Sequence, residues 1–357
     1  MKINILLNNN YFSDHCTFSF IYPIIKSISL IRESGVKISF IHSINNSIFD
    51  CNTLIIDSRF CGKLKKKTEF INYLKKKKTK KYKLIFADTA DNSGQLKTDF
   101  LSFVDIYWKG QILKNVNEYM NPHYGGRLFT NFYKKRFNIK DKNKQISEPV
   151  KNKDLLNKIQ ICWNMGLCDH GRYAHIKQKL YSIVKFNFFI NNTKNFFLPD
   201  KKRNINVSCR IGTKYERETV SFQRIKISEL LEKYIDTSKL SRFKYLNELS
   251  NSKYIISPFG WGELCPRDFE TFINGGLLIK PDMKTINTWP NWYVSNKTYL
   301  SFDWDLINFR NKVKIALKNY KKLKEIAVNA QREYLYYTVG KESKQIFAER
   351  FLNLIKK

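Results

Sequence analysis

Acidic residues are scarce in this sequence. It sets 31 aspartates and glutamates against 64 lysines and arginines, a formal charge of +33 over 357 residues. Such a field attracts phosphorylated ligands, nucleic acid or an anionic membrane face. Part of the excess fits a compositional bias towards Lys, Asn and Ile, which leaves many lysines as solvated surface. Long apolar runs are also missing. None approaches the roughly 20 residues needed to span a bilayer, and Met1-Lys2 leads straight into Ile3-Asn4-Ile5-Leu6-Leu7 with no signal peptide before it. A cytoplasmic protein, soluble or peripheral on the cytoplasmic face of a membrane, is expected. Cysteines number seven, an odd count without a C-x-x-C pair, which excludes a disulfide framework and points to reduced thiols. Cys162, Cys168, His170 and His175 match no common zinc-finger spacing. No G-x-G-x-x-G follows the first apolar run, where Asn8-Asn9-Asn10-Tyr11 stand instead, so the N-terminal half is not expected to bind a dinucleotide.

What is present suits a packed globular chain: 43% hydrophobic and 15% aromatic residues, over a length that favours two domains. The first ~110 residues alternate short apolar strands with amphipathic helices, the pattern of a parallel sheet covered by helices. Strands are predicted at Ile3 to Leu7, Val36 to Ile41, Thr53 to Ile56 and Leu84 to Ala87. Phe18, Ile21, Ile24, Ile25, Ile28 and Ile31 recur at helical spacing up to Gly35. A polar stretch from Phe132 to Lys158 reads as a linker. A second alternating unit then follows, with strands at Ile159 to Trp163, Ile205 to Ser208, Tyr254 to Ile256 and Leu277 to Ile279. Its helices fall near Lys177 to Val184, Ser221 to Leu231 and Arg242 to Leu249, and the chain is helical after Asp305 apart from a break at Tyr336 to Gly340. The seven lysines between Lys75 and Lys83 suit a helix end or a patch for acidic lipid or glycan. Tyr82 is the single aromatic among them, too few for a single-strand nucleic-acid platform.

The densest signal is Ser257-Pro258-Phe259-Gly260-Trp261-Gly262-Glu263-Leu264-Cys265-Pro266-Arg267-Asp268-Phe269-Glu270. Gly260 and Gly262 allow close backbone approach to a ligand, and Pro266 opens a helix where its missing N–H costs nothing. The helix end and Arg267 together present a dipole and a fork of donors to phosphate oxygens. Glu270, one turn deeper on the same face, is placed to accept ribose hydroxyls. Gly275-Gly276 ends the helix before a buried strand.

Arg267-Asp268-Phe269-Glu270 followed by Gly275 resembles the donor-site segment of GT-B glycosyltransferases, in the group-1 and CgeB-like branch, and is similar to the exostosin-type segment. The resemblance implies an α/β fold of two Rossmann-like domains facing a central cleft, with C-terminal helices crossing back to the first. It divides the chain into an acceptor domain (1–150), a nucleotide-sugar donor domain (151–330) and a returning helix (331–357). It further implies that Glu270 binds the donor ribose and that the helix start faces the diphosphate. Six residues separate Glu263 from Glu270 where many retaining members have seven, which leaves Glu263 as a sugar-facing partner open.

Further candidates lie at strand ends, where ligands bind in open α/β sheets. Arg210 and Arg217, in the loop after Ile205 to Ser208, could fork onto a diphosphate, and Lys280 and Asp282 flank Pro281 at the next edge. Asp14, His15, Asp88 and Asp91 follow first-domain strands, and His15 and Asp91 are the candidates for removing an acceptor proton. Tyr124-Gly125-Gly126-Arg127 is a small loop in which Arg127 reads as an interdomain ion-pair residue. Asp303-Trp304-Asp305 has the D-x-D form of a metal site, but Asp305 stands where a helix N-cap would. The expected enzyme needs no metal or cofactor. Arg267 would stabilise the leaving diphosphate, the donor would be a nucleotide-sugar, and the acceptor a glycan or lipid-linked molecule of surface polysaccharide or lipopolysaccharide synthesis. A non-catalytic nucleic-acid-binding protein, and a polyol-phosphate transferase on the same architecture, are the alternatives; no groove-reading motif supports the first.

Overall fold

The computed structural model describes residues 1–8 and 14–356; residues 9–13, which include Asn9, Asn10 and Tyr11, and Lys357 lie outside them. The elements run β1 (Lys2–Leu6), α1 (His15–Lys26), α2 (Ile28–Glu33), β2 (Lys37–Ile41), β3 (Thr53–Asp57), α3 (Ser58–Gly62), α4 (Lys67–Lys77), β4 (Lys83–Asp88), α5 (Thr98–Leu101), β5 (Ile106–Lys109), β6 (Gln111–Leu113), α6 (Leu128–Phe137) and β7 (Ile159–Ile161). They continue with α7 (Ala174–Val184), β8 (Ile205–Ser208), α8 (Glu218–Leu231), α9 (Arg242–Asn251), β9 (Ser252–Ile256), α10 (Pro266–Ile273), β10 (Leu277–Pro281), β11 (Ile286–Thr288), β12 (Leu300–Phe302), α11 (Phe309–Lys318), α12 (Tyr320–Thr338) and α13 (Ser343–Lys356).

Six strands pair in the order β2-β1-β3-β4-β5-β7 and four in the order β12-β10-β9-β8, every pairing parallel. Parallel strands are covered on both faces, which is why Leu54-Ile55-Ile56 and Leu277-Leu278-Ile279 read as unbroken apolar runs and are buried throughout. A short antiparallel ladder, Ile286 to Thr288 against Gln111 to Leu113, ties the two lobes together. α13 returns to the first lobe and packs on α1 and α2. There Phe347 stands edge-on to Trp163 at 5.0 Å between ring centroids, and Phe351 to Trp108 at 6.3 Å. Two helix-covered parallel sheets with their carboxyl ends facing each other, and a last helix given back to the first lobe, make up the GT-B arrangement that the sequence resemblance implies.

Three assignments need correction. The strand at Ile159, expected to open the second unit, is the edge strand of the first sheet, because its apolar residues pair with Tyr107 to Lys109. The stretch from Phe132 to Lys158 is not a solvated linker. It carries most of α6, and Asp141 is buried, accepting from the Thr219 amide and hydroxyl at 2.8 and 2.9 Å. The long first helix is two, since the chain turns at Ser27 between Lys26, the end of α1, and Ile28, the start of α2.

Candidate functional site

The carboxyl ends of the two sheets enclose a cleft of about 420 Å³. His15, Cys16 and Asp91 line it from the first lobe, Met165 from the segment after β7, and Tyr215, Arg224, Arg242, Tyr245, Gly260, Trp261, Gly262, Arg267 and Glu270 from the second. A narrower recess of about 80 Å³ shares His15, Cys16 and Asp91 and reaches in to Asp88, Trp163 and Asn164.

α10 forms the floor. Pro266 is its first residue, and Gly275 closes it with φ of 63°, where any Cβ would meet the Phe197 carbonyl at 2.1 Å. Asp268 is buried beneath the helix, accepting from Ser257 Oγ at 2.6 Å and Tyr293 Oη at 2.8 Å, and pairing with Lys280 Nζ at 3.0 Å. This buried web fixes the helix start. Arg267 then reaches over the cleft, donating from Nη2 to the Arg210 carbonyl and from Nε to Tyr245 Oη at 3.3 Å. Across from it Arg224, on α8, donates to the backbone carbonyls of Phe259 (2.5 Å) and Gly212 (3.2 Å) and lies 5.1 Å over the Tyr215 ring. Burial lowers the pKa of Arg224. Among the described residues neither Arg224 nor Arg267 has a carboxylate partner, so two guanidinium charges stand uncompensated at one cleft wall. Arg224 is buried without an opposite charge, which is costly, and an anionic ligand relieves it. Glu270 lies in the same cleft, its carboxylate held by Arg242 Nη1 at 3.0 Å and Tyr245 Oη at 2.9 Å, which leaves acceptor capacity on both oxygens.

On the opposite wall, Asp14 caps α1 by accepting from the Cys16 and Thr17 amides at 3.1 and 3.2 Å, and so aims the start of the helix at the cleft. His15 presents an open edge, yet protein crowds its ring enough to lower its pKa to about 4. Desolvation is the main cause and the nearby His170, 6.1 Å away between ring centroids, adds to it, while Asp14 and Asp91 oppose. The imidazole is therefore neutral near pH 7, with a ring nitrogen open to a proton, and is a weaker base than an ordinary histidine. Asp91 pairs with Arg59 at 2.8 Å. Burial pushes the Cys16 thiol up to about 12, so it stays protonated.

The structure thus brings His15, Asp91, Gly260, Gly262, Arg267 and Glu270 into one cleft. It sends four other candidates elsewhere. Arg210 is bidentate to Glu248 (3.0 and 2.7 Å) and bonds Asp236 at 2.5 Å, so its charge is spent within its own lobe. Arg217 crosses to the Gly125 carbonyl at 3.1 Å and to Gln145. Glu263 is 2% exposed and grips Ser93 of the first lobe. Lys280 is fully buried against Asp268. Two smaller readings also change. Arg127 does cross between lobes, but to the Trp261 carbonyl rather than into an ion pair. Gly262 approaches the first lobe rather than open space, since a Cβ there would meet the Asp91 carbonyl at 1.8 Å. Asp88 is engaged by Lys109 and Tyr107, both at 2.7 Å. Asp303 pairs with Lys312 at 3.2 Å and Asp305 accepts from the Ile307 amide at 3.1 Å, so the two aspartates face different partners.

Sequence reasoning did not single out Arg242 or Tyr245. Arg242 and Tyr245 stand at i and i+3 on α9, one face of a helix, and that spacing is the signal that could have found them.

No protein-family model matches the chain, and no curated protein does. Among solved structures it is similar to Anabaena Alr3699/HepE in complex with UDP-glucose, with a TM-score of 0.44 and 8% identity over 99% of this chain and 100% of that one. It is also similar to a glycosyltransferase from Rickettsia africae (TM-score 0.47, 9% identity, 99% and 97% covered) and to TarM (TM-score 0.42, 13% identity, 85% and 55% covered).

Proposed function

We propose that the chain is a glycosyltransferase that holds a nucleotide-sugar donor in the second lobe and transfers its sugar to a hydroxyl presented by the first. The observation that carries this reading is the pair of guanidinium groups, Arg224 and Arg267, at the start of α10 without a carboxylate between them. A diphosphate supplies the missing negative charge, and the free amides of the helix end add to the attraction. Glu270, one turn deeper, then meets the ribose hydroxyls.

As the glycosidic bond breaks, its electron pair goes to the leaving diphosphate, where Arg267 and the helix end stabilise the growing charge. His15, neutral at working pH, takes the proton of the acceptor hydroxyl as the new bond forms at the sugar carbon. Arginines and the helix end do what a divalent ion does in other transferases, so the reaction is metal-independent in this reading. The acceptor class is a glycan or lipid-linked molecule of surface polysaccharide or lipopolysaccharide synthesis. The seven unpaired cysteines favour a reducing compartment, the cytoplasm.

A panel of nucleotide sugars and CDP-linked polyols, read by thermal shift and by donor hydrolysis, tests this. A nucleotide sugar that raises the melting temperature and is hydrolysed supports the reading. Preference for a CDP-polyol moves it to polyol-phosphate transfer. Tight, steeply salt-dependent binding of random single-stranded DNA with no nucleotide-sugar response refutes it.

A further inference from the structure

α7 is built inside out. Its inward side carries Lys177 and the buried Tyr181, while Ile176, Leu180, Ile183 and Val184, with Tyr173 just before them, form an apolar stripe that faces solvent. The segment after the helix extends the stripe. Ile183, Phe186 and Phe188 are 69, 67 and 80% exposed, far beyond what single scattered surface apolars show. No core of this chain explains such a face, because a helix that packs on its own domain turns its apolar stripe inward. The exposed charge beside it is basic, Lys179, Lys185 and Lys194, while the nearest acidic residues in sequence are engaged elsewhere, Asp169 with Lys177 on the inward side and Asp200 with Lys324. An apolar stripe with basic flanks is the composition of a helix that lies in a bilayer interface with anionic headgroups beside it. Among the described residues no helix is long and apolar enough to cross a membrane, so a surface helix is the form such an attachment would take.

We propose that α7 and the Phe186 to Phe188 turn dock the protein on an anionic lipid bilayer. The surface borders the cleft mouth. Arg172, two residues before α7, donates to Asn247 of α9 at 2.6 Å and lies 4.8 Å over the ring of Phe243, itself 63% exposed. The neighbouring Arg242 holds Glu270. The docking surface stands whether or not the transferase reading does, because vesicle binding is measured without any substrate.

The full chain is sedimented with vesicles of equal parts phosphatidylglycerol and phosphatidylcholine, and with phosphatidylcholine alone. Wild type binds the anionic vesicles, and binding weakens as salt rises. The triple variant Ile183→Ser, Phe186→Ser, Phe188→Ser loses at least about tenfold in partition while keeping its melting temperature, because the apolar contact is gone. Lys179→Gln and Lys194→Gln each lose about fivefold through weaker attraction to the headgroups. Equal binding by wild type and the triple variant overturns the proposal. So does equal sedimentation of wild type with phosphatidylcholine alone. A wild-type dimer that the triple variant converts to monomer, with no vesicle binding by either, also overturns it and makes the stripe an interface between two copies of this chain.

Discussion

Glu263 of the second lobe accepts from both the amide and the hydroxyl of Ser93 in the first, at 3.1 and 2.8 Å. Burial raises the pKa of this carboxyl while Arg127 opposes the rise. The residue thus latches the lobes. Glu263→Ala leaves the Ser93 amide buried without a partner, which costs about 1–3 kcal/mol. The expected outcome is a lower melting temperature with donor affinity within about twofold of wild type, since the cleft side chains keep their partners. A large loss of donor binding in a variant of unchanged stability would return Glu263 to the donor site.

Arg267 and Glu270 are predicted to separate in kinetics. Arg267→Ala removes a donor aimed at charge that develops in the transition state, so kcat falls by about a hundredfold and KM changes little. Glu270→Ala removes binding that is equal in ground and transition states, so KM for the donor rises by about tenfold with kcat near wild type. Steady-state kinetics with the preferred nucleotide sugar checks both. Unchanged constants in both variants contradict the site.

The lowered pKa of His15, about 4, sets the acid side of the pH profile. The imidazole stays neutral down to that value, so kcat/KM holds on going from pH 7 to pH 5 and drops only near 4. Asp91 raises the His15 pKa, so Asp91→Asn shifts the limb to still lower pH. Stability follows the same sign. Between about 4 and 6.5 the unfolded chain binds a proton that folded His15 refuses, so stability falls as pH drops through this window and is independent of His15 above pH 6.5. A limb at pH 6 to 7 that His15→Gln abolishes would show a base with an ordinary pKa.

Gly262→Ala puts a methyl group 1.8 Å from the Asp91 carbonyl, backbone against backbone across the lobes. Neither atom can swing aside, so the lobes part or the loop distorts, at a cost of about 1–3 kcal/mol. Reduced thermal stability and weaker donor binding are expected together. A variant equal to wild type in both would mean that the lobes are not held at this distance in solution.

β1 to β4 and β8 to β10 were legible because buried parallel strands are apolar runs, and α10 because Pro266 and Gly275 mark its ends, whereas β5 and β12, at four and three residues, were not predicted. Those two residues also located the cleft. The strand at Ile159 was placed in the wrong sheet because its partner, Tyr107 to Lys109, lies about fifty residues away and pairing leaves no local signal. Arg210 looked like a phosphate ligand for the same reason: sequence shows the charge, while the carboxylate that consumes it, Glu248, comes from another helix. The role of Arg224 is hidden in the opposite direction. Its partners are main-chain carbonyls, which every sequence has and none advertises.

The return of α13 to the first sheet means that the two halves of the polypeptide cannot be dissected at the cleft. Cut away the final fourteen-residue helix and the faces of Trp108 and Trp163 that it shields meet water. Any chimera that swaps donor halves between such proteins must therefore graft the tail to match the acceptor half it seals, not the donor half it follows.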